Sequence, residues 1–321
     1  MSTATRVPET WELTGDDARK TLLDTGRLRL VSDAFARLRY ADGFSHARSL
    51  AFATSLVLVQ GVIAIVGFAA VLGDKSVANS LVRVARATVP GPASRVLTDA
   101  VTQAYNAGTS SRWLPLVLGT IGAIVTGATL FGQFERALNR LYGVEQDRPA
   151  PQKYALALLL TVTAGVCAAI AFVMFAFGRD IGREFGGGVR TMWDMVRWPL
   201  GFLLILAMLA LLFRWSPRRR QPAWSWLAFG AAVSMVLWSA VTLGLGLMLS
   251  VSSSFGETYG PLAGIVALQI WSLLSAISIL YGAAVAAQLE AVRAGEPRVQ
   301  EPEKLDDDRP AESDELVTTY N

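Results

Sequence analysis

The chain has one cysteine, Cys167, and one histidine, His46, in 321 residues. A lone thiol cannot close an internal disulfide, and one imidazole with one thiol cannot supply the ligands of a zinc or haem site. The motifs of catalysis are missing too: there is no Gly-x-Ser-x-Gly, no histidine-based triad and no Walker A lysine. Charge is scarce at 17% of residues, and only Lys20, Lys75, Lys153 and Lys304 represent lysine. Nucleic-acid binding needs basic residues set among aromatic or groove-reading elements on a soluble face, and the basic residues here serve topology instead. Neither an enzyme, nor a cofactor or metal, nor a nucleic-acid partner is expected.

Apolar sequence is what the chain has in abundance. Hydrophobic residues make up 52% of it, and the mean hydropathy is +0.40. The charges are segregated, leaving several uncharged runs of about 17–25 residues, the length that crosses a hydrocarbon core. Lipid offers the backbone no hydrogen-bond partner, so each run must be a helix. The fold class expected is all-α, a polytopic membrane protein with six transmembrane helices and interfacial amphipathic helices. The spans fall near 50–72, 113–132, 154–177, 198–213, 224–249 and 261–287. Residues 50–290 form the transmembrane domain, 1–49 a basic amphipathic N-terminal segment, and 291–321 an acidic tail too polar to bury a core.

No short apolar core stands near the start, so no signal peptide is expected there. Between 21 and 46, Leu28, Val31, Phe35 and Leu38 recur at helical spacing, with Arg27, Arg29, Arg37 and Arg39 mostly off that line. Such a helix suits anionic headgroups at a membrane surface. Residues 74–112 hold two amphipathic stretches, 77–87 and 93–105, broken by Pro90-Gly91-Pro92. They are expected as a helical hairpin along the outer membrane surface. With both termini in the cytoplasm, 20 of the 29 Lys and Arg residues fall on inner segments, and the short link 214–223 carries Arg218-Arg219-Arg220. That is the distribution of the positive-inside rule.

Few side chains in the spans could carry a function. Gln60 in the first span and Gln269 in the sixth are candidate cavity residues, although an amide in hydrocarbon more often joins helices. No Asp, Glu, Lys or Arg lies well inside any span, which argues against proton coupling. Gly119, Ala123 and Gly127 form a small-residue stripe suited to close helix packing. The second span leaves the membrane through Phe131, Phe134, Leu138, Leu141 and Tyr142 on one arc, with Glu135 and Asn139 flanking it. Arg136 and Arg140 turn toward headgroups or water, and Gly143 suits a C-cap. Two readings stand: snorkelling arginines beside an interfacial acid, or a polar mouth made by Glu135 and Asn139. The triple glycine 186–188 is expected as a flexible turn, because no strand precedes it and no Lys-Ser/Thr follows.

Three stretches together resemble one family. LFGQFERALNRLYGVEQDRP at 130–149, DGFSHARSLAF at 42–52, and the last span with its exit at 258–295 are similar to the YihY/BrkB family of bacterial membrane proteins. The resemblance implies six spans in the bacterial inner membrane, cytoplasmic termini, and an activity for which transport is often suggested. It also brings a ribonuclease label carried by some members, to which this sequence lends no metal-binding His/Asp cluster. The chain departs from the family pattern at Gln60, where proline is common, and at Ala284 and Ala286, where glutamate and asparagine are common. The functional expectation is a transporter or exporter of a small or lipidic solute. The competing one is an envelope scaffold that organises lipids or partners without transport; a homo-oligomer is compatible with both.

Overall fold

The computed structural model describes residues 3–72, 75–110, 113–184, 187–251 and 262–299. The link 252–261, Gly186 of the triple glycine and the acidic tail from 300 onward lie outside the described residues. Ten helices and no strand occur among the described residues. They are α1 (Gly15–Thr25), α2 (Arg27–Tyr40), α3 (Gly43–Leu72), α4 (Lys75–Thr88), α5 (Ala93–Ser110), α6 (Trp113–Leu141), α7 (Ala150–Glu184), α8 (Gly187–Trp215), α9 (Trp224–Val251) and α10 (Ala263–Arg293). Six of them, α3 and α6 to α10, are long and apolar enough to span a membrane. Large apolar side chains such as Leu118, Val125, Val236 and Leu247 are exposed on them, as a lipid-facing surface requires.

Close packing is made by glycine at named crossings. On α6, Gly119 lies against the α3 backbone, where an added Cβ would come 2.9 Å from Ala64 Cα. Gly67 of α3 returns the contact against Leu116. Such approach is how helices associate where lipid removes the hydrophobic drive. The stripe Gly119, Ala123 and Gly127 does not serve one interface, however. Gly127 faces Thr161 of α7 instead. Four residues turn an α-helix by about 400° rather than 360°, so a four-residue repeat drifts around the axis and reaches two neighbours.

Around α10, the most buried span, α9 packs just as tightly. A Cβ on Gly230 would come 2.7 Å from Gly282 O. Ser234 Oγ sits at the same crossing and donates to Gly230 O at 3.1 Å. Further along, Trp238 Nε1 donates to Ser275 Oγ at 3.1 Å and Trp271 Nε1 to Thr242 Oγ1 at 3.1 Å. These bonds satisfy indole N–H groups that hydrocarbon could not.

Two expectations are corrected by the packing. The hairpin α4–α5 does not lie flat across the bundle. Val96 and Ala100 of α5 share a cavity wall with Val59 and Ile63 of α3, while Gly108 reaches Ala70. α5 therefore runs alongside the second half of the first span, its apolar side buried in a cluster with Val66, Leu81 and Val101. The tip rests on α9 and α10, with Gly91 against Leu249 and Gly264 against Pro92 O. Pro-Gly-Pro suits this tight turn: Gly91 takes a positive φ of 51°, and the two prolines, of which Pro90 is buried, bring no N–H to satisfy.

On α2, Leu38 does not share a face with Leu28, Val31 and Phe35. Leu30, Ala34 and Leu38 are buried against the bundle, whereas Leu28, Val31 and Phe35 stay exposed. Leu38 is ten residues past Leu28, about 80° off its line at 100° per residue. The helix thus has two apolar faces, one inside the protein and one uncovered.

Candidate functional site

The polar groups collect in two places, and the terminal end of the bundle holds most of them. α6 ends in a Schellman turn: Val144 N–H donates to Asn139 O at 2.8 Å and Gly143 N–H to Arg140 O at 3.3 Å. Gly143 has φ +74°, and a Cβ there would run into the backbone of Arg6, so glycine serves both the turn and the passing N-terminal segment. That segment is pinned by Ala4 N–H to Arg140 O at 3.2 Å and Val7 N–H to Tyr142 O at 3.1 Å.

Glu135 and Asn139 do not form an open mouth. Both are buried, at 2% and 0% exposure. Glu135 pairs with Arg148 at 3.2 Å. Asn139 Nδ2 donates to Asp147 Oδ1 at 3.1 Å, and Asn139 Oδ1 accepts from Arg218 N–H at 2.8 Å. Arg148 Nη1 then donates to Ser216 O at 2.6 Å. The exit of α6, the following loop and the 216–223 link are thus laced together. Arg136 does not simply point to headgroups; its Nε donates to Asp147 at 3.1 Å, as does Lys153 Nζ at 2.9 Å. Burial pushes the Asp147 carboxyl up, but the hydrogen bonds from Lys153, Asn139 and Arg136, with the charge of Lys153, prevail and hold it at about 2.

Beside this lies a second clasp that sequence reasoning missed. Glu290, fully buried at the end of α10, receives Arg219 in a fork: Nη2 to Oε1 at 2.7 Å and Nη1 to Oε2 at 3.0 Å. Thr10 Oγ1 donates to the same Oε1 at 2.7 Å. The Arg219 guanidinium also stacks 4.6 Å above the Tyr142 ring. Arg37, at 0% exposure, donates to Gln288 Oε1 at 2.7 Å and to the carbonyls of Thr5 and Leu141 at 3.0 Å. Burial pushes the Arg37 guanidinium down to about 10, so it keeps its charge at neutral pH. In the sequence Arg219 belongs to the basic triplet of a short link and Glu290 lies 71 residues further on, at the end of the last helix. Only the fold joins them.

The second place is a cavity of about 600 Å³ between α3, α5 and α6 near the start of α10. Its walls are mostly apolar, with Gln60, Asp99 and Gln103 as polar groups. Gln60 lies on it, and its Oε1 accepts from Thr126 Oγ1 at 2.8 Å. Gly122 leaves room for that amide, since a Cβ there would sit 3.0 Å from Gln60 Cδ. Gln60 therefore joins helices and faces space at once. Gln269 is elsewhere; its Oε1 accepts from Ser55 Oγ at 3.2 Å and ties α10 to α3. Asp99 and Gln103 were not singled out from sequence. They stand one turn apart on an amphipathic helix, which by pattern alone reads as a solvated face.

Fold and packing define an all-α polytopic membrane protein with six spans and both described ends at one face. The chain belongs to the family described as Virulence factor BrkB, matched over residues 34–307. It is 27% identical over 180 residues to the ribonuclease-like protein YfkH of Bacillus subtilis, covering 54% of this chain and 65% of that protein. It is 26% identical over 172 residues to the UPF0761 membrane protein YihY of Salmonella typhimurium, covering 54% and 58%. A UPF0761 membrane protein of Verminephrobacter eiseniae is 29% identical over 183 residues, covering 54% and 42%. The chain thus spans less than two thirds of each of these relatives. No solved structure matches it. Family and spans make it a multi-pass bacterial membrane protein.

Proposed function

We propose that this protein is a transporter or exporter of a small or lipidic solute, which it binds in the cavity between α3, α5 and α6. The observation that carries this reading is the cavity itself. Its volume of about 600 Å³ lies in the range of small-molecule sites, and apolar walls with a few polar groups are the usual character of such sites. Its rim is open where Leu114 and Leu118 are more than half exposed, while at the terminal end Glu135 and Glu290 are buried in ion pairs and Asn139 in hydrogen bonds. One closed end and one accessible cavity fit a protein that exposes its site to one side at a time. The reading is non-catalytic and invokes no cofactor.

The orientation proposed puts the termini in the cytoplasm of the inner membrane. Arg136, Arg148, Lys153 and Arg218 gather at the terminal end, as the positive-inside rule prefers. The uncovered Leu28, Val31 and Phe35 of α2, with Arg29 and Arg39 also exposed, support contact with anionic headgroups. That same face favours the second reading, an envelope protein that organises lipids or partners without transport.

Proteoliposomes loaded with a broad panel of amphiphilic and polar solutes test the first reading. Release faster than from empty liposomes, slowed by Gln60→Leu, is expected. No accelerated release of any solute would leave the scaffold reading in place. For orientation, single cysteines can be set at Arg95 and Arg220 in a Cys167→Ser background. An impermeant maleimide should label the Arg95→Cys protein in intact cells and the Arg220→Cys protein only after permeabilisation; the reverse pattern overturns the assignment.

A further inference from the structure

Asp99 is the one ionisable side chain among the described residues lining the cavity. It is exposed there, and no hydrogen bond or ion pair engages it among the described residues. Arg95, one turn earlier on α5, is also exposed and forms no ion pair with it. A carboxylate beside apolar walls keeps its charge at low cost only when a cation or water meets it. Gln103 follows four residues later on the same face of α5 and is likewise without a hydrogen-bond partner among the described residues. Gln60 spends its carbonyl on Thr126, and its Nε2 donates to nothing among the described residues.

We propose that this cavity binds a lipophilic monocation, an organic molecule whose apolar body lies on Val59, Ile63, Ala100 and Leu118 and whose charge meets Asp99. The inference rests on the reading of the cavity as a solute site and narrows the class of solute. Asp99, the one ionisable side chain among the described residues on the wall, repels negative charge and attracts positive charge. A small hydrated ion is disfavoured because apolar walls cannot replace its water. An apolar cation satisfies both surfaces at once and is only weakly hydrated. Access fits as well: Leu114 and Leu118 at the rim are 51% and 60% exposed and continue the lipid-facing surface of α6, where amphiphiles concentrate. The amide groups of Gln60 and Gln103 add polar partners for the ligand, and the volume of about 600 Å³ admits a molecule of several rings.

Two probes of one shape and opposite charge separate the possibilities. The full chain in nanodiscs is titrated with tetraphenylphosphonium and, separately, with tetraphenylborate, and binding to empty nanodiscs is subtracted. Tetraphenylphosphonium should bind saturably, at about one per chain, and Asp99→Asn should weaken it at least tenfold, a change of about 1.4 kcal/mol. Asp99→Glu should stay close to wild type, and tetraphenylborate should show no saturable component. Asp99 is exposed, so both variants are expected to fold, and their melting temperatures check this. Unchanged affinity in Asp99→Asn, saturable binding of tetraphenylborate that competes with the cation, or no saturable cation binding would each overturn the proposal. Flux measurements separate it from the transport reading. Asp99-dependent cation binding without transport sinks only the latter, whereas release of solutes indifferent to Asp99 sinks only the former.

Discussion

Replacing Arg219 by methionine should be among the most destabilising single changes in this protein. The guanidinium is 2% exposed and Glu290 is 0% exposed, so methionine leaves a carboxylate buried with only Thr10 Oγ1 and N–H still donating to it, at 2.7 and 3.3 Å. Breaking a buried pair from one side costs about 3–5 kcal/mol. Pro8 O also loses the bond it accepts from Arg219 at 2.9 Å, which adds about 1 kcal/mol. A total near 4–6 kcal/mol follows, a large part of the stability of an ordinary domain. The double variant Arg219→Met, Glu290→Met removes both charges and keeps the volume. It should recover most of the loss, because a buried pair replaced by apolar groups is close to neutral; the orphaned Thr10 hydroxyl and Pro8 carbonyl leave a residue of about 2 kcal/mol. The measurement is reversible unfolding in detergent by tryptophan fluorescence, which Trp226 at the neighbouring α9–α10 contact makes sensitive. A double variant no more stable than Arg219→Met alone would refute the idea that mutual compensation of buried charge holds this clasp together. A loss below about 1 kcal/mol in the single variant would show the site to be wetter than its burial implies.

Asp147 should make stability acid-sensitive. Its carboxyl is held at about 2, below its usual 3.8, so its stabilisation is complete above pH 4 and falls away as pH drops from 4 to 2. The loss should approach about 2 kcal/mol, and Asp147→Asn should remove that part of the pH dependence in acid unfolding curves. At the α9–α10 crossing, Gly282→Val should prevent native packing, since any Cβ would collide with Ser234 and with Gly230 O; folded yield by size-exclusion chromatography should collapse. Gly165→Ala, where nothing lies within 4 Å, is the control and should leave the yield unchanged.

The spans were legible because lipid imposes one requirement on every residue of a run, and composition alone records it. The exit of α6 at Gly143 was legible for a similar reason, since a left-handed C-cap is a local feature. Polar residues read less well. Gln60 and Gln269 could be seen as amides in hydrocarbon, but not that Thr126 and Ser55 would be their partners. Glu135 and Asn139 could be placed beside an apolar arc, yet their closure depends on Arg148 in the following loop and on Arg218, 79 residues beyond Asn139. Asp99 was hidden by its own helix. An amphipathic pattern reports that a face is polar and is silent on whether that face meets bulk water or a cavity.

By itself the sequence determined the fold class, the six spans and the segregation of positive charge, because these follow from hydrophobicity summed over windows of a few turns. Tertiary structure alone decided that the hairpin stands beside the first span, that the small-residue stripe of α6 serves two neighbours, and that Glu290 and Arg219 meet. The physical reason is range. Transfer from water to lipid acts on each residue where it stands, whereas hydrogen bonds, ion pairs and backbone contacts act within a few ångströms and join positions as distant as Thr10 and Glu290. Their partners exist only once the chain has folded.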